Sequence, residues 1–249
     1  MIAVAGNLSL DRVAGSPPRI GGGPFHAARA LRQIRAHAQI VARCGDGDRA
    51  ALLPRLASLG LPVTLLPGET TSQFSFSYDG DVRFMHVDAL GDAWKPGDAS
   101  ALDRAVRWVH VAPLARSDFP ADTLAALARG RRLLLDGQGL VRRPAIGPLE
   151  LDAEFDHDLL AHVQVLKLSE EEAEVTGDLD VPELLITFGS RGSLVRVRGV
   201  ETHVPAWRLP RDPTGAGDAF AAAYVAARAG GDAPVAAARR ATAVVASLL

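Results

Sequence analysis

The residues best suited to chemistry stand together in one stretch, Asp212-Pro213-Thr214-Gly215-Ala216-Gly217-Asp218, directly before an apolar helical run over residues 219–227. Two glycines and an alanine keep the backbone bare there, so N–H groups at a helix start can point at an anion. Asp218 falls in the first turn of that helix, where the dipole favours a carboxylate by ~0.3–1 kcal/mol. The same carboxylate would repel a bound phosphate. An acid set inside an anion-binding turn suits removal of a proton from a hydroxyl that attacks the phosphate. The amides of Gly215, Ala216 and Gly217 would then stabilise the charge spreading over the phosphoryl oxygens. The plainer alternative, a capped helix after a glycine turn, leaves so many turn residues unexplained. No Gly-Lys-Ser/Thr follows, so this is not a Walker A loop.

Other candidates are weaker one by one. Asp11 lies in a loop with Ser9 and Gly15, where an Asp serves either as a hydroxyl ligand or as an Asx-turn. The run Gly21-Gly22-Gly23 lets the backbone approach a ligand closely, or is a flexible loop. His26 starts the next helix, and no second His stands at metal-ligand spacing. Asp136 closes an apolar strand and leads through Gly137 to Gln138 and Arg142, a pattern that fits a substrate or phosphate contact or a loop salt bridge. Glu170, Glu171 and Glu172 open a helix, which by itself is dipole compensation. Gly189 and Gly192 mark a turn.

The elements that must position these groups alternate almost throughout. Apolar strands are predicted at residues 2–5, 40–43, 63–66, 108–112, 133–136, 163–167 and 184–188, with helices between or after them. The helix after Gly23 places Ala27, Ala30, Leu31 and Ile34 on one face. Pro54 should bend the helix around Leu52, Leu56 and Leu59 or mark its first turn. Residues 7–18 read as a polar loop. Such alternation argues a mostly parallel central sheet with helices on both faces, and the loops after its strands are where an open α/β sheet keeps its site. Two hairpins interrupt the pattern. Residues 193–204 form an antiparallel edge. Residues 71–87, with Phe74, Phe76 and Tyr78 alternating with serines and Asp79-Gly80 as the turn, should project as a small lid.

Composition narrows the class. The chain has 249 residues, 48% hydrophobic and 22% charged, as expected of one folded domain spanning 1–249 rather than a disordered chain. A net charge of −2 gives no reason to expect nucleic acid or an anionic membrane as partner. One cysteine, Cys44, rules out an internal disulfide framework. The opening Met1-Ile2-Ala3-Val4 lacks a basic n-region and reads as a first strand, and the apolar runs are too short to span a bilayer, so a cytoplasmic protein is expected.

Asp212 to Phe220 resembles the C-terminal signature of the ribokinase-like (PfkB) carbohydrate kinases, and the likeness extends over nearly the whole chain. Gly6-Asn7-Leu8-Ser9-Leu10-Asp11 is similar to the family's first loop, which makes Asp11 a sugar-hydroxyl ligand. Gly21-Gly22-Gly23-Pro24-Phe25-His26 resembles the family's G-G-x-x-x-N, with His26 in the Asn place and Gly22 beside the acceptor. Ser169-Glu170-Glu171-Glu172 resembles N-x-x-E, which implies that Glu172 orients Mg²⁺ through water and that Ser169 touches the nucleotide. Thr187, Gly189 and Gly192 match a T-x-G-x-x-G nucleotide turn, and Thr242 would edge the purine. Gln138 and Arg142 approximate the Asn and Arg of D-x-N-x-R in several members. A monovalent cation such as K⁺ would carry over to Asp212 and Thr214.

The resemblance implies a ribokinase-like fold and transfer of the ATP γ-phosphoryl group to a sugar or cyclic polyol, with Mg²⁺ and with Asp218 as base. The alternatives are a vitamin-type kinase of the same superfamily, which would lack the lid, and a silent sugar sensor, which would not need Asp218. The aromatic face of the lid needs cover, from the acceptor pocket, from the same hairpin of a second subunit in a homodimer, or from the main domain.

Overall fold

A computed structural model describes residues 1–13, 16–79, 82–206 and 214–248. In chain order the first strands are β1 (Ile2–Asn7), β2 (Ser9–Val13), β3 (Arg19–Gly21), β4 (Ala38–Arg43), β5 (Val63–Leu66), β6 (Ser72–Asp79) and β7 (Val82–Ala89). They are followed by β8 (Trp108–Ala112), β9 (Arg132–Asp136), β10 (Gly147–Pro148), β11 (Val165–Ser169), β12 (Glu183–Thr187), β13 (Ser193–Val197) and β14 (Val200–Val204). The helices are α1 (Gly23–Gln33), α2 (Arg49–Ala57), α3 (Ala121–Ala128), α4 (Gln138–Val141), α5 (Glu170–Thr176), α6 (Ala216–Ala229) and α7 (Pro234–Leu248).

Nine strands make the main sheet, in the order β14-β13-β12-β11-β9-β8-β1-β4-β5. From β12 to β5 every pairing is parallel, and only β13 and β14 run antiparallel, as the edge hairpin predicted. Both faces are buried, which is why these strands read as continuous apolar runs. The two-residue period sorts them. Ile2, Val4, Trp108 and Leu134 enter the core under α1, α6 and α7, whereas Ala3, Ala5, Val109, Val111, Leu133 and Leu135 enter the core under α3. Pro54 lies inside α2 and not in its first turn. Residues 157–162 form a 3₁₀ helix.

The period also places charges. His110 pairs with Val4 and Leu134, and Lys167 pairs with Asp136. All three polar residues therefore interrupt the row that α6 covers, Asp136 at the C-terminal end of β9 and His110 and Lys167 in the middle of β8 and β11.

A second, five-stranded sheet has the order β10-β7-β6-β2-β3 and corrects two expectations. Residues 7–18 are not simply a loop, because Ser9–Val13 forms β2 and pairs parallel with β6. Ser9, Leu10, Asp11, Arg12 and Val13 show no clean apolar-polar alternation, so period two could not reveal the strand. The lid is likewise more than a hairpin. β2 and β3 flank it on one side and β10 on the other, and Phe74, Phe76 and Val87 pack on Leu114 of the main domain. Phe74 and Phe76 thus find their cover within the chain, whereas the side chain of Tyr78 lies outside what is described.

Leu114 is held by Asp118, whose Oδ2 accepts from the amides of Leu114 at 2.7 Å and Ala115 at 3.4 Å. Burial pushes this carboxyl up to about 7, well above the ordinary carboxylate range, despite those two bonds. A carboxyl that holds its proton more tightly when folded gives stability fully present below its unfolded pKa and lost as pH rises through the folded one. Urea unfolding should therefore show the native chain losing stability relative to Asp118→Asn as pH rises from roughly 4 to 7, with no further change above. Parallel curves across that window would show that Asp118 folds ionised.

Candidate active site

α6 begins with Gly215 as its N-cap, at φ 77°, a left-handed conformation that suits glycine. The amide of Ala219 bonds the Gly215 carbonyl at 2.9 Å. Among the described residues this leaves the amides of Ala216, Gly217 and Asp218 without an intrahelical partner, the ordinary state of a helix start. Asp218 is half-buried. Burial, and after it the Asp136 charge, raise its carboxyl above the ordinary range, against the opposing pull of His26, Lys167 and His110.

The glycine run before α1 explains how two carboxylates come to one place. A Cβ on Gly21 would collide with the Asp11 carboxylate, and one on Gly23 would stand 3.0 Å from Asp218 Oδ1. Gly22, at φ 91°, caps α1 between them. Asp11 Oδ1 accepts from the Ser9 hydroxyl at 2.7 Å, and its strand partners are Arg19 and Phe74. Asp218 thus lies against the N-terminal ends of both α1 and α6, with Asp11 beyond Gly21.

Behind Asp218 is a buried cluster that sequence reading missed in part. Asp136 Oδ2 lies 2.6 Å from His110 Nε2, and Asp136 Oδ1 lies 2.9 Å from Lys167 Nζ. All three side chains are 5% exposed or less. Burial would raise the Asp136 carboxyl, but the Lys167 ammonium and then the His110 hydrogen bond hold it below its usual range. Burial would lower Lys167, but the Asp136 charge, followed by that of Glu172, holds it above. The Asp136 contact anticipated as a loop salt bridge or a ligand contact is a buried ion pair. His110, Asp136 and Asp218 offer ligand atoms within 4.8 Å of one another, and Lys167 already supplies the positive charge there.

Lys167 also opens onto a cleft of about 1300 Å³ between the two sheets. Gln138, Arg142, Ser169 and Glu172 line it from the main domain, and Ser75, Phe76 and Met85 from the lid. Ser169 and Glu172 cap α5 reciprocally: the Ser169 amide donates to Glu172 Oε2 at 2.8 Å, and the Glu172 amide donates to Ser169 Oγ at 3.2 Å. Among the described residues Glu172 Oε1 carries no hydrogen bond, so one carboxylate oxygen is available at the cleft. That suits Mg²⁺, which keeps most of its waters and takes one or two carboxylates.

The remaining predicted residues are not gathered as closely. Thr187 pairs with Ser169 in the β11–β12 register, and its hydroxyl donates to the Leu168 carbonyl at 3.1 Å. Gly189 has open space about it. Gly192 is glycine for a reason in the fold, because a Cβ would strike the Val204 carbonyl across the edge hairpin. Thr242 is buried and spends its hydroxyl on Ala238, 3.0 Å away in the same helix. His26 lies against Gly215 and lines a small recess with Thr214, Gly215 and Ala216, apart from the large cleft. Asp212 lies outside the described residues.

An open parallel sheet, a second sheet over its C-terminal strand ends and an acid at a glycine-led helix start define a ribokinase-like kinase. Residues 18–248 match the pfkB family of carbohydrate kinases, and the chain belongs to that family. Solved structures share the fold. A pyrophosphate-dependent kinase of the ribokinase family in a sulfate complex superposes with a TM-score of 0.86 at 23% identity, over 98% of this chain and 94% of that one. A Burkholderia thailandensis nucleoside kinase with inosine gives 0.77 at 21%, over 99% and 90%. Ribokinase from Thermotoga maritima gives 0.72 at 17%, over 98% and 91%. Among the described residues no helix is long and apolar enough to cross a membrane.

Proposed function

We propose that this kinase transfers the terminal phosphoryl group of ATP to a hydroxyl of a sugar or cyclic polyol. The observation that carries this reading is the Asp218 carboxyl, raised by burial and set between two helix starts beside amides that have no intrahelical partner among the described residues. Asp11 orients the acceptor, with Gly22 leaving room and His26 at the far side of the Gly215 turn. Asp218 takes the proton as the acceptor oxygen attacks phosphorus and the bond to the leaving phosphate breaks. The amides of Ala216 and Gly217 hold the phosphoryl oxygens, with Gly215 shaping the turn. Gln138 and Arg142 complete the acceptor side of the cleft. Ser169, Thr187 and Gly189 flank the donor, with Gly192 and Thr242 supporting that side of the fold. Glu172 would hold Mg²⁺ through water, which supplies charge neutralisation between the donor phosphates. A monovalent cation such as K⁺ at Thr214 and Asp212 belongs to the same proposal.

A second reading replaces ATP by inorganic pyrophosphate, as in the pyrophosphate-dependent kinase that shares this fold. A matrix of ATP and pyrophosphate against sugars, cyclitols and nucleosides, read by phosphorylated product, tests both. Product with ATP supports the first reading, product with pyrophosphate alone supports the second, and no product with either overturns both.

Asp11→Ala should raise the acceptor KM by about 10- to 100-fold, through loss of charge-assisted hydrogen bonds worth ~1.5–3 kcal/mol. Donor affinity by calorimetry should not move. A donor-specific defect would take Asp11 out of the acceptor site.

A further inference from the structure

The buried ion pair beside Asp218 holds more charge than packing needs. A lysine and an aspartate in adjacent buried strands cost desolvation, and a buried pair is often no more stable than apolar residues of similar size. Lys167 has three N–H donors, and among the described residues Asp136 is the one carboxylate within 4 Å of its Nζ. The ammonium has a second neighbour. A Cβ on Gly217 would stand 2.8 Å from Nζ, so Lys167 abuts the first turn of α6, whose amides have no intrahelical partner among the described residues. It also lines the large cleft. Of the cluster His110, Asp136 and Lys167, only Lys167 reaches both the helix start and the cleft, and the other two hold it from behind.

We propose that Lys167 is a catalytic residue: its ammonium touches the phosphoryl group in transfer, beside the Gly217 amide, and is aimed there by Asp136, itself hydrogen-bonded to His110. This rests on the phosphotransferase reading and adds to it the group that balances the Asp218 carboxylate. The acceptor oxygen forms its bond to phosphorus and gives its proton to Asp218, the bond to the leaving phosphate breaks, and Lys167 keeps its proton throughout. A fixed buried ammonium does this better than a surface one, since it need not reorganise as charge develops. Its ligand is the diphosphate group, common to ATP and pyrophosphate.

Lys167→Met alone leaves Asp136 buried without its ammonium, which destabilises the fold and would confound the measurement. The test therefore uses the double variant Asp136→Asn with Lys167→Met, which removes both charges together, alongside Lys167→Arg. In the double variant kcat should fall by about 10²- to 10³-fold, as on loss of one preorganised donor. Calorimetric affinity for pyrophosphate and for ATP should weaken about tenfold, with acceptor KM within threefold of the native value. Lys167→Arg should recover part of the loss. A double variant that keeps a third or more of both kcat and donor affinity overturns the proposal, as does a loss shared equally by acceptor and donor alongside a lowered Tm. If the native chain transfers phosphoryl from neither donor yet binds pyrophosphate through Lys167, the functional reading fails and the anion site stands. If it binds neither donor, both fail.

Discussion

Asp218→Asn is expected to fold, to bind donor and acceptor, and to lose on the order of 10²–10⁴ in turnover, the usual share of a general base. Asn preserves the size of the side chain and its place in the first turn of α6 but cannot accept the hydroxyl proton. The environment of Asp218 gives a second signature. Burial, followed by the neighbouring Asp136 charge, raises its carboxyl, and a base works only when deprotonated. The acid limb of the native kcat profile should therefore lie above the ordinary carboxylate range. That limb should vanish in the variant. A variant keeping more than half of native turnover at saturating substrates would sink the assignment.

The parts of this architecture that were legible in the sequence were those whose physics is local. β8, β9 and β11 are buried on both faces, so their apolar runs stand out whatever the tertiary context. The signature before α6 was legible because bare glycines, a capping turn and an acid at a helix start carry their purpose in a few residues. Lys167 and His110 were not read as site residues because each is one polar residue inside an apolar strand. The signal was present nonetheless: Lys167 and Asp136 both interrupt buried strands, and two opposite charges so placed must meet. Only the β9–β11 register shows that they do. Gly192 and Thr242 show the converse. Their residue types match a nucleotide site, yet the Val204 carbonyl explains the glycine and the Ala238 carbonyl occupies the hydroxyl. Strand β2 escaped notice because it mixes polar and apolar residues on both faces and is set by its partner β6.

That same sheet determines what becomes of the lid. Replacing residues 72–86 by a short Gly-Ser turn should lower the thermal stability of the whole chain severely, rather than leave a folded protein with an open cleft. The replacement removes all of β6, the middle strand of the five, and the first five residues of β7, so β2, which carries Asp11, loses its parallel partner. Phe74 and Phe76 are only 3% and 7% exposed, packed with Val87 against Leu114. Truncating one buried Phe to Ala typically costs ~3–5 kcal/mol, a large part of the ~5–15 kcal/mol that holds an ordinary domain folded. Phe74→Ala is accordingly expected to destabilise by about that amount in urea unfolding, and the hairpin replacement by more. A lid that swings freely predicts otherwise: an unchanged melting temperature, poor acceptor affinity, and acceptor-independent donor hydrolysis as water reaches the terminal phosphate. Measuring melting and uncoupled hydrolysis on the same two variants separates the outcomes. A hairpin replacement that melts within a few degrees of the native chain would show that this sheet is a hinged cover, and that the packing of Phe74 and Phe76 on Leu114 belongs to only one of its positions.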